Sequence, residues 1–497
     1  MAPADPEVSI SAGRLKGQIE NGVAVFRGIP FARPPVGPRR FRAPVPPDPW
    51  DGVRDAREFG PPAPQEGSTT GPPSADTGEW LTVNVWTPSI PDEGPASALP
   101  VLVWIHGGAY MHGSGGEPAY DGGPFARAGA VFVSCNYRLG MEGFGQIPGA
   151  PANRGLLDAV AALRWVHDSI ERFGGDPANV TVFGESAGAG VIAALLAMDS
   201  AKGLFRRAIA QSVPGTFYTR DLAADIAVAI ADAAGLPATY EALSQADPMR
   251  LVSAQAAIVA RMNEFPRWGA TLLPFSPVID GEVLPRSPWR ALLAGAASDV
   301  ELLTGHNRDE YRLFTAMGGR RGRITEEAAA EALASFAPAP DGPAGYRKAF
   351  GEADPTTMYE LILSDWLFRM PTLHLAQAHA ASGGTTYLYE LRAQAPSGRF
   401  GACHALDVPL VFGAMSEGIG TLLTGGDPPA EFVALGDLMR SEWLSFAASG
   451  DPGWAPYGTE HRTTRIYDLQ PDVLSYPEET SMRLWERHIF DALGLSA

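Results

Sequence analysis

Two cysteines in 497 residues, Cys135 and Cys403, cannot build a disulfide framework, and neither sits at a metal-binding spacing. No stretch approaches 18 uninterrupted apolar residues, which excludes a transmembrane helix. Positive charge is short: 38 Lys and Arg stand against 56 Asp and Glu, for a net charge of −18. That balance argues against nucleic acid or an anionic membrane as partner. The opening MAPADPEVSISAG lacks the basic patch and apolar run of a signal peptide, so a soluble cytoplasmic protein is expected. No Gly-Lys-Ser/Thr follows the glycine-rich segments, which disfavours a phosphate loop. His374 and His379 are five apart, a spacing that misses one helix face, and no glutamate follows His374, so no metal site is expected.

What is present is a set of short apolar runs. LTVNVWTP (81–88), LPVLVWIHGG (99–108), AVFVSCNYRLG (130–140) and NVTVFGES (179–186) suit strands covered on both faces. Cys135 lies inside one of them and reads as a buried structural thiol. Between the last two, Leu156, Val160, Leu163, Val166 and Ile170 recur at helical spacing until FGGDP ends the helix. A further helix follows Ser186, then a strand at RRAIAQSV. The order predicts a doubly wound α/β sheet. Residues 60–79 form a polar Gly/Pro/Ser/Thr-rich loop, expected to be an exposed connection. Residues 219–270 and 316–380 are alanine-rich and helical in period, and are expected as helical insertions over the sheet, where a lid or pocket wall would lie.

One segment raises a chemical question. TVFGESAGAG (181–190) places Ser186 between glycines where a strand gives way to a helix. Gly-x-Ser-x-Gly alone is a modest signal, since small residues gather at tight turns for steric reasons. A serine nucleophile needs a histidine base, and that base needs a carboxylate to hold its tautomer and its charge. In α/β-hydrolase architecture these follow the serine in the order acid, then histidine. The strand-like VELLTG breaks into a loop holding Asp309 and Glu310, either of which fits, with a solvated acidic loop as the plainer alternative. Asp280 is a further acid in a shaped context, whereas Asp158 precedes the serine and lies in a helix, a poor fit. Of nine histidines, His404 in FGACHALDVPLVFG is the one whose order and loop context both fit. Upstream, VWIHGGAYMHGSGG supplies a strand running into a glycine-rich loop, which suits backbone N–H groups aimed at an oxyanion.

Together these pieces resemble the type-B carboxylesterase/cholinesterase family, para-nitrobenzyl-esterase-like members included. The resemblance covers nearly the whole chain, from ENGVAVFRGIPFARPPVGPRRFRAP through NRGLLDAVAALRWVHDSIERFGGDPANVTVFGESAGAG to FSPVIDGEVLP, LLTGHNRDE, HALDVPLVFG and WLSFAASGDP. It implies one α/β-hydrolase domain over 1–497, with a large mixed, mostly parallel sheet flanked by helices and with insertions at about 219–270 and 316–380 forming pocket walls. It also implies Ser186 as nucleophile, Glu310 as acid and His404 as base. The oxyanion donors fall on the N–H groups of Gly108, Ala109 and Ala187, and Glu185 and Ser212 land on positions that support the triad. Leu273, Phe275, Leu313 and Phe314 fall near the acyl and alcohol pockets.

The implied activity is hydrolysis of a small-molecule ester through an acyl-enzyme, with no cofactor or metal, by a monomer or small homo-oligomer. Carbamate, amide or lactone cleavage and acyl transfer share the same triad. A non-catalytic binding protein of this fold is the remaining alternative, disfavoured because all three triad positions are filled. Departures from the family pattern are Trp80 in place of a cysteine, Ala109 as third residue of the oxyanion loop, and Val213 after Ser212. The choline-binding tryptophan of cholinesterases has no counterpart, so choline esters are not expected as preferred substrates.

Overall fold

Val101, Val103 and Ile105 belong to one hydrophobic cluster, Leu102 and Trp104 to another, and all five are buried. Their strand therefore runs between two cores, which is why its sequence is continuously apolar rather than alternating. In the computed structural model, which describes residues 5–67, 78–90 and 98–496, this strand belongs to an eleven-stranded sheet. Residues 68–77, half of the expected proline-rich connection, lie outside the described residues.

The sheet strands are, in chain order, β1 (Gln18–Glu20), β2 (Val23–Pro30), β3 (Thr82–Thr87), β4 (Leu99–Ile105), β5 (Val131–Cys135) and β6 (Gly175–Glu185), followed by β7 (Arg207–Gln211), β8 (Glu301–Asn307), β9 (Thr386–Leu391), β10 (Thr463–Tyr467) and β11 (Asp472–Ser475). Their spatial order is β11-β10-β9-β8-β7-β6-β4-β5-β3-β2-β1. The seven strands from β10 to β5 pair in parallel, while β1, β2, β3 and β11 pair antiparallel. The mixed, mostly parallel sheet of the α/β-hydrolase architecture is thus realised. Ile105 lies opposite Gly184, Glu185 opposite Gln211, and Gln211 opposite Gly305, so β4, β6, β7 and β8 end along one edge. In open parallel sheets that carboxyl edge is where ligands bind.

Helix α1 (Arg154–Ser169) covers one face with Leu156, Val160, Leu163 and Val166, and the chain turns off at Gly174 in a left-handed conformation. Helix α2 (Ala187–Ala197) is buried along nearly its whole length, which accounts for its lack of a polar stripe. The opposite face is covered by the helix Ala430–Ser449 through Phe432, Met439, Trp443 and Phe446. The first alanine-rich segment contains helices Arg220–Ala233, Tyr240–Gln245 and Pro248–Val259. The second contains Glu326–Phe336, Gly342–Ala349, Pro355–Ser364 and Met370–Ala381, with one turn of π-helix at Asp365–Arg369.

Asp158, on α1, is occupied structurally. Its carboxylate accepts from the backbone N–H of Arg138 at 3.0 Å and from Nε and Nη2 of the same guanidinium at 2.7 Å each, and neither side chain reaches solvent. Removing one partner of a buried pair strands the other charge. Asp158→Asn is therefore expected to destabilise the fold by about 3–5 kcal/mol. A clear drop in the thermal or urea midpoint checks this, and an unchanged midpoint contradicts it.

Candidate active site

The strand β6 ends at Glu185, and Ser186 follows with φ 57° and ψ −122°, a conformation costly for a residue with a Cβ. The next residue opens α2, so Ser186 stands at a sharp strand-to-helix elbow. The turn packs directly under β4: a Cβ at either Gly184 or Gly188 would collide with the carbonyl oxygen of Ile105. Both glycines are therefore demanded by close backbone approach. The Ser186 N–H is tied to Gln211 O on β7 at 2.9 Å, and the Ser186 carbonyl accepts from Gly190 N–H at 2.9 Å.

His404 comes from the loop between β9 and the helix Asp407–Phe412. Its Nε2 lies 2.9 Å from Ser186 Oγ and its Nδ1 lies 2.6 Å from Glu310 Oε2. An ionised carboxylate only accepts, so Nδ1 carries the proton and Nε2 is free to accept from the serine hydroxyl. The backbone N–H of His404 also donates to Glu310 O at 3.1 Å. Phe368 stacks on the imidazole with ring centroids 4.1 Å apart, and Phe314 lies at 5.4 Å.

Glu310 is fully buried just beyond β8. Besides His404, its carboxylate accepts from Ser212 Oγ–H at 2.5 Å and from the Asn307 N–H at 2.8 Å. Asp309, the neighbouring candidate, points elsewhere. It pairs with Arg308 and Arg312 and accepts from the Ala402 N–H, and these partners hold its carboxyl below the ordinary range against the opposing effect of burial. Asp280 accepts the Glu282 and Leu284 N–H groups and closes a turn.

Glu185 is buried with Oε1 3.0 Å from His404 Nε2, and that oxygen has no hydrogen-bond partner among the described residues. Burial pushes its carboxyl above the usual carboxylate range. Burial also works against charge on His404, but Glu185 and Glu310 beside it outweigh that effect and raise its proton affinity above that of ordinary imidazole. A proton taken from Ser186 would thus be well held, and the resulting Nε2–H would supply the donor that Glu185 Oε1 lacks.

These groups open onto a cavity of about 460 Å³. Gly108, Ala109 and Ala187, the expected oxyanion donors, line it together with Ser186, Glu185 and His404. Ala109 takes a left-handed φ of 56° despite its methyl group. Leu273, Leu313 and Phe314 also line the cavity. Phe275 does not; it is buried in the core two residues beyond Leu273. Of the insertions, the second contributes Leu367 and Phe368 from its π-helical turn, while Leu272 and Leu273 follow the first. Sequence reasoning named Leu273 but missed Leu272, Leu367 and Phe368, and the one signal for the last two was the bulky run WLF inside an otherwise alanine-rich segment. It also missed Glu117 and Tyr120, which enter the cavity beyond the glycine-rich loop.

His106, His374 and His379 have structural surroundings. His106 is buried and stacked on Tyr137, and burial drives its pKa down to about 4. His374 lies edge-on to Phe490, whereas His379 contacts Thr386 Oγ1 and Ala297 O, so the two do not converge. Trp80 fills a buried position, Cys135 and Cys403 are buried and unpaired, and the Val213 N–H donates to Thr372 Oγ1.

Comparison with known proteins identifies the relatives of this chain. Residues 4–340 and 345–485 match the sequence model of the carboxylesterase family. A para-nitrobenzyl esterase of Bacillus subtilis (strain 168) is 37% identical over 494 residues, covering 95% of this chain and 96% of that protein. Phenmedipham hydrolase of Pseudarthrobacter oxydans is 34% identical, covering 90% of each chain. Among solved structures, a carboxylesterase of Geobacillus stearothermophilus aligns with a TM-score of 0.86 at 35% identity, over 96% of this chain and 99% of that one.

Proposed function

Since this chain belongs to the carboxylesterase family, with the α/β-hydrolase fold and carboxylic ester hydrolysis that membership brings, we propose that Ser186, His404 and Glu310 are its catalytic triad. The observation that carries the reading is His404 bridging Ser186 Oγ at 2.9 Å and Glu310 Oε2 at 2.6 Å. Ser186 Oγ attacks the ester carbonyl as His404 Nε2 takes its proton, and the carbonyl oxygen becomes an oxyanion. The N–H groups of Gly108, Ala109 and Ala187 receive that charge. The tetrahedral intermediate collapses, His404 returns the proton to the departing alcohol, and an acyl-Ser186 ester remains. Water then repeats the attack through the same base and releases the acid.

Glu310 holds the imidazole and offsets its positive charge, with Ser212 keeping the carboxylate in place. Glu185 adds a second acceptor for the imidazolium. Leu273, Leu313 and Phe314 bound the space for the acyl and alcohol groups. Only an acyl group and protons move, so the steps as written call on no cofactor.

The reading extends to one domain over residues 1–497, supported by a single sheet that collects strands from Gln18 to Ser475. The reading keeps a monomer or small homo-oligomer, as the family resemblance implies. Cytoplasmic residence is supported by two free thiols and no disulfide.

A covalent test addresses the nucleophile. A p-nitrophenyl alkylphosphonate, which traps activated serines, is expected to leave one adduct on the peptide containing Ser186 and to abolish esterase activity in step. An adduct elsewhere, or inactivation without one, overturns the assignment.

A further inference from the structure

Glu117 has no structural task in the cavity wall. It precedes the short 3₁₀ turn Pro118–Tyr120, yet its side chain makes no capping hydrogen bond to that turn. Its carboxylate is half-buried and lines the same cavity as Ser186 and His404. Among the described residues it forms no ion pair, and burial alone acts on its carboxyl, raising it above the ordinary range. The segments outside the described residues contain no lysine or arginine that could supply a partner.

The rest of the lining sharpens the point. No lysine or arginine is among the described residues that border the cavity. The second carboxylate, Glu185, is buried with Oε1 lacking a hydrogen bond. His112 also borders the cavity, and burial lowers its proton affinity toward the neutral form. Tyr120, Tyr311, Phe314 and Phe368 supply aromatic surface, which favours cations over anions. A half-buried unpaired carboxylate loses hydration that a bound cation would restore, and the net charge of −18 draws cations toward the protein as a whole.

We propose that Glu117 makes this enzyme selective for esters that carry a protonated amine, whose N–H donates to the Glu117 carboxylate while the ester carbonyl sits at Ser186. The inference rests on the Ser186 mechanism above. The ammonium group lies on whichever side of the ester runs along the wall from Gly107 to Tyr120, alcohol or acyl, and the test separates the two.

Two isosteric pairs are compared near neutral pH, with the Ser186→Ala protein as background. On the alcohol side, 2-(dimethylamino)ethyl acetate is set against 3-methylbutyl acetate. On the acyl side, ethyl 3-(dimethylamino)propanoate is set against ethyl 4-methylpentanoate. The readout is the kcat/KM ratio of amine to isostere within each protein, so a variant that folds in lower yield affects both rates alike. In one pair, the ratio is expected to fall about tenfold from wild type to Glu117→Gln, the size of one charge-assisted hydrogen bond. Glu117→Asp should keep part of it, and the pair that responds identifies the amine-bearing side. An unchanged ratio in both pairs overturns the proposal while turnover of the neutral esters leaves the Ser186 reading intact. No turnover of any of the four above background overturns that reading and the proposal with it.

Discussion

Ser186→Ala is expected to lower kcat on a short p-nitrophenyl ester by roughly 10⁴- to 10⁶-fold, the loss seen when a serine hydrolase keeps its oxyanion donors but loses its nucleophile. The substitution removes only Oγ. The Cβ that already sits at φ 57° stays, so the elbow and its ties to Gln211 O and Gly190 N–H are retained. His404 Nε2 then faces Glu185 Oε1 at 3.0 Å with no hydroxyl competing for it. The variant should therefore fold normally and bind esters while failing to turn them over. Near-wild-type kcat in a folded Ser186→Ala protein would remove Ser186 from the mechanism.

The second large effect is expected for Glu310→Gln. The native carboxylate accepts from three donors, His404 Nδ1–H, Ser212 Oγ–H and the Asn307 N–H. A glutamine must turn its NH₂ toward at least one of them, and against His404 this favours the tautomer with its proton on Nε2, which cannot accept from Ser186. A loss of about 10³- to 10⁴-fold in kcat/KM is expected, with circular dichroism unchanged. Asp309→Asn, which breaks contacts to Arg308 and Arg312 instead, should cost far less. A larger loss in Asp309→Asn than in Glu310→Gln would reverse the assignment of the acid.

That contrast marks how far the sequence reading could go. The two carboxylates are adjacent in one polar loop, so spacing and order leave them equivalent. They differ only through what the end of β8 turns each one toward. The strands were legible because both faces of the sheet are buried and leave continuous apolar runs, and the elbow because its glycines are forced by contact with Ile105. Ser186 and His404 followed from chain order together with the small-residue contexts around them.

The cavity wall was much less legible. Phe275 and Leu273 are both apolar and two residues apart, yet one enters the core and the other the cavity. Leu367 and Phe368 enter the cavity, and Phe368 stacks on His404, through a single π-helical turn that no periodicity announces. Glu117 looks like any surface acid until the fold brings it to the wall of the cavity that Ser186 lines. Pocket walls are assembled from distant segments whose local sequences obey no common pattern, whereas an elbow is a local object.

The separation between the proposed triad members bears on how the protein acquires its activity. Ser186 and His404 lie 218 residues apart in sequence, and Glu310 and His404 lie 94 apart. A nascent chain can complete the elbow, with β4, β6 and α2 in place, long before the base is synthesised. Contacts of such range close late because the intervening loops must be ordered first. Esterase activity is thus expected to be silent in any chain that has built the central strands but has not yet seated the loop carrying His404.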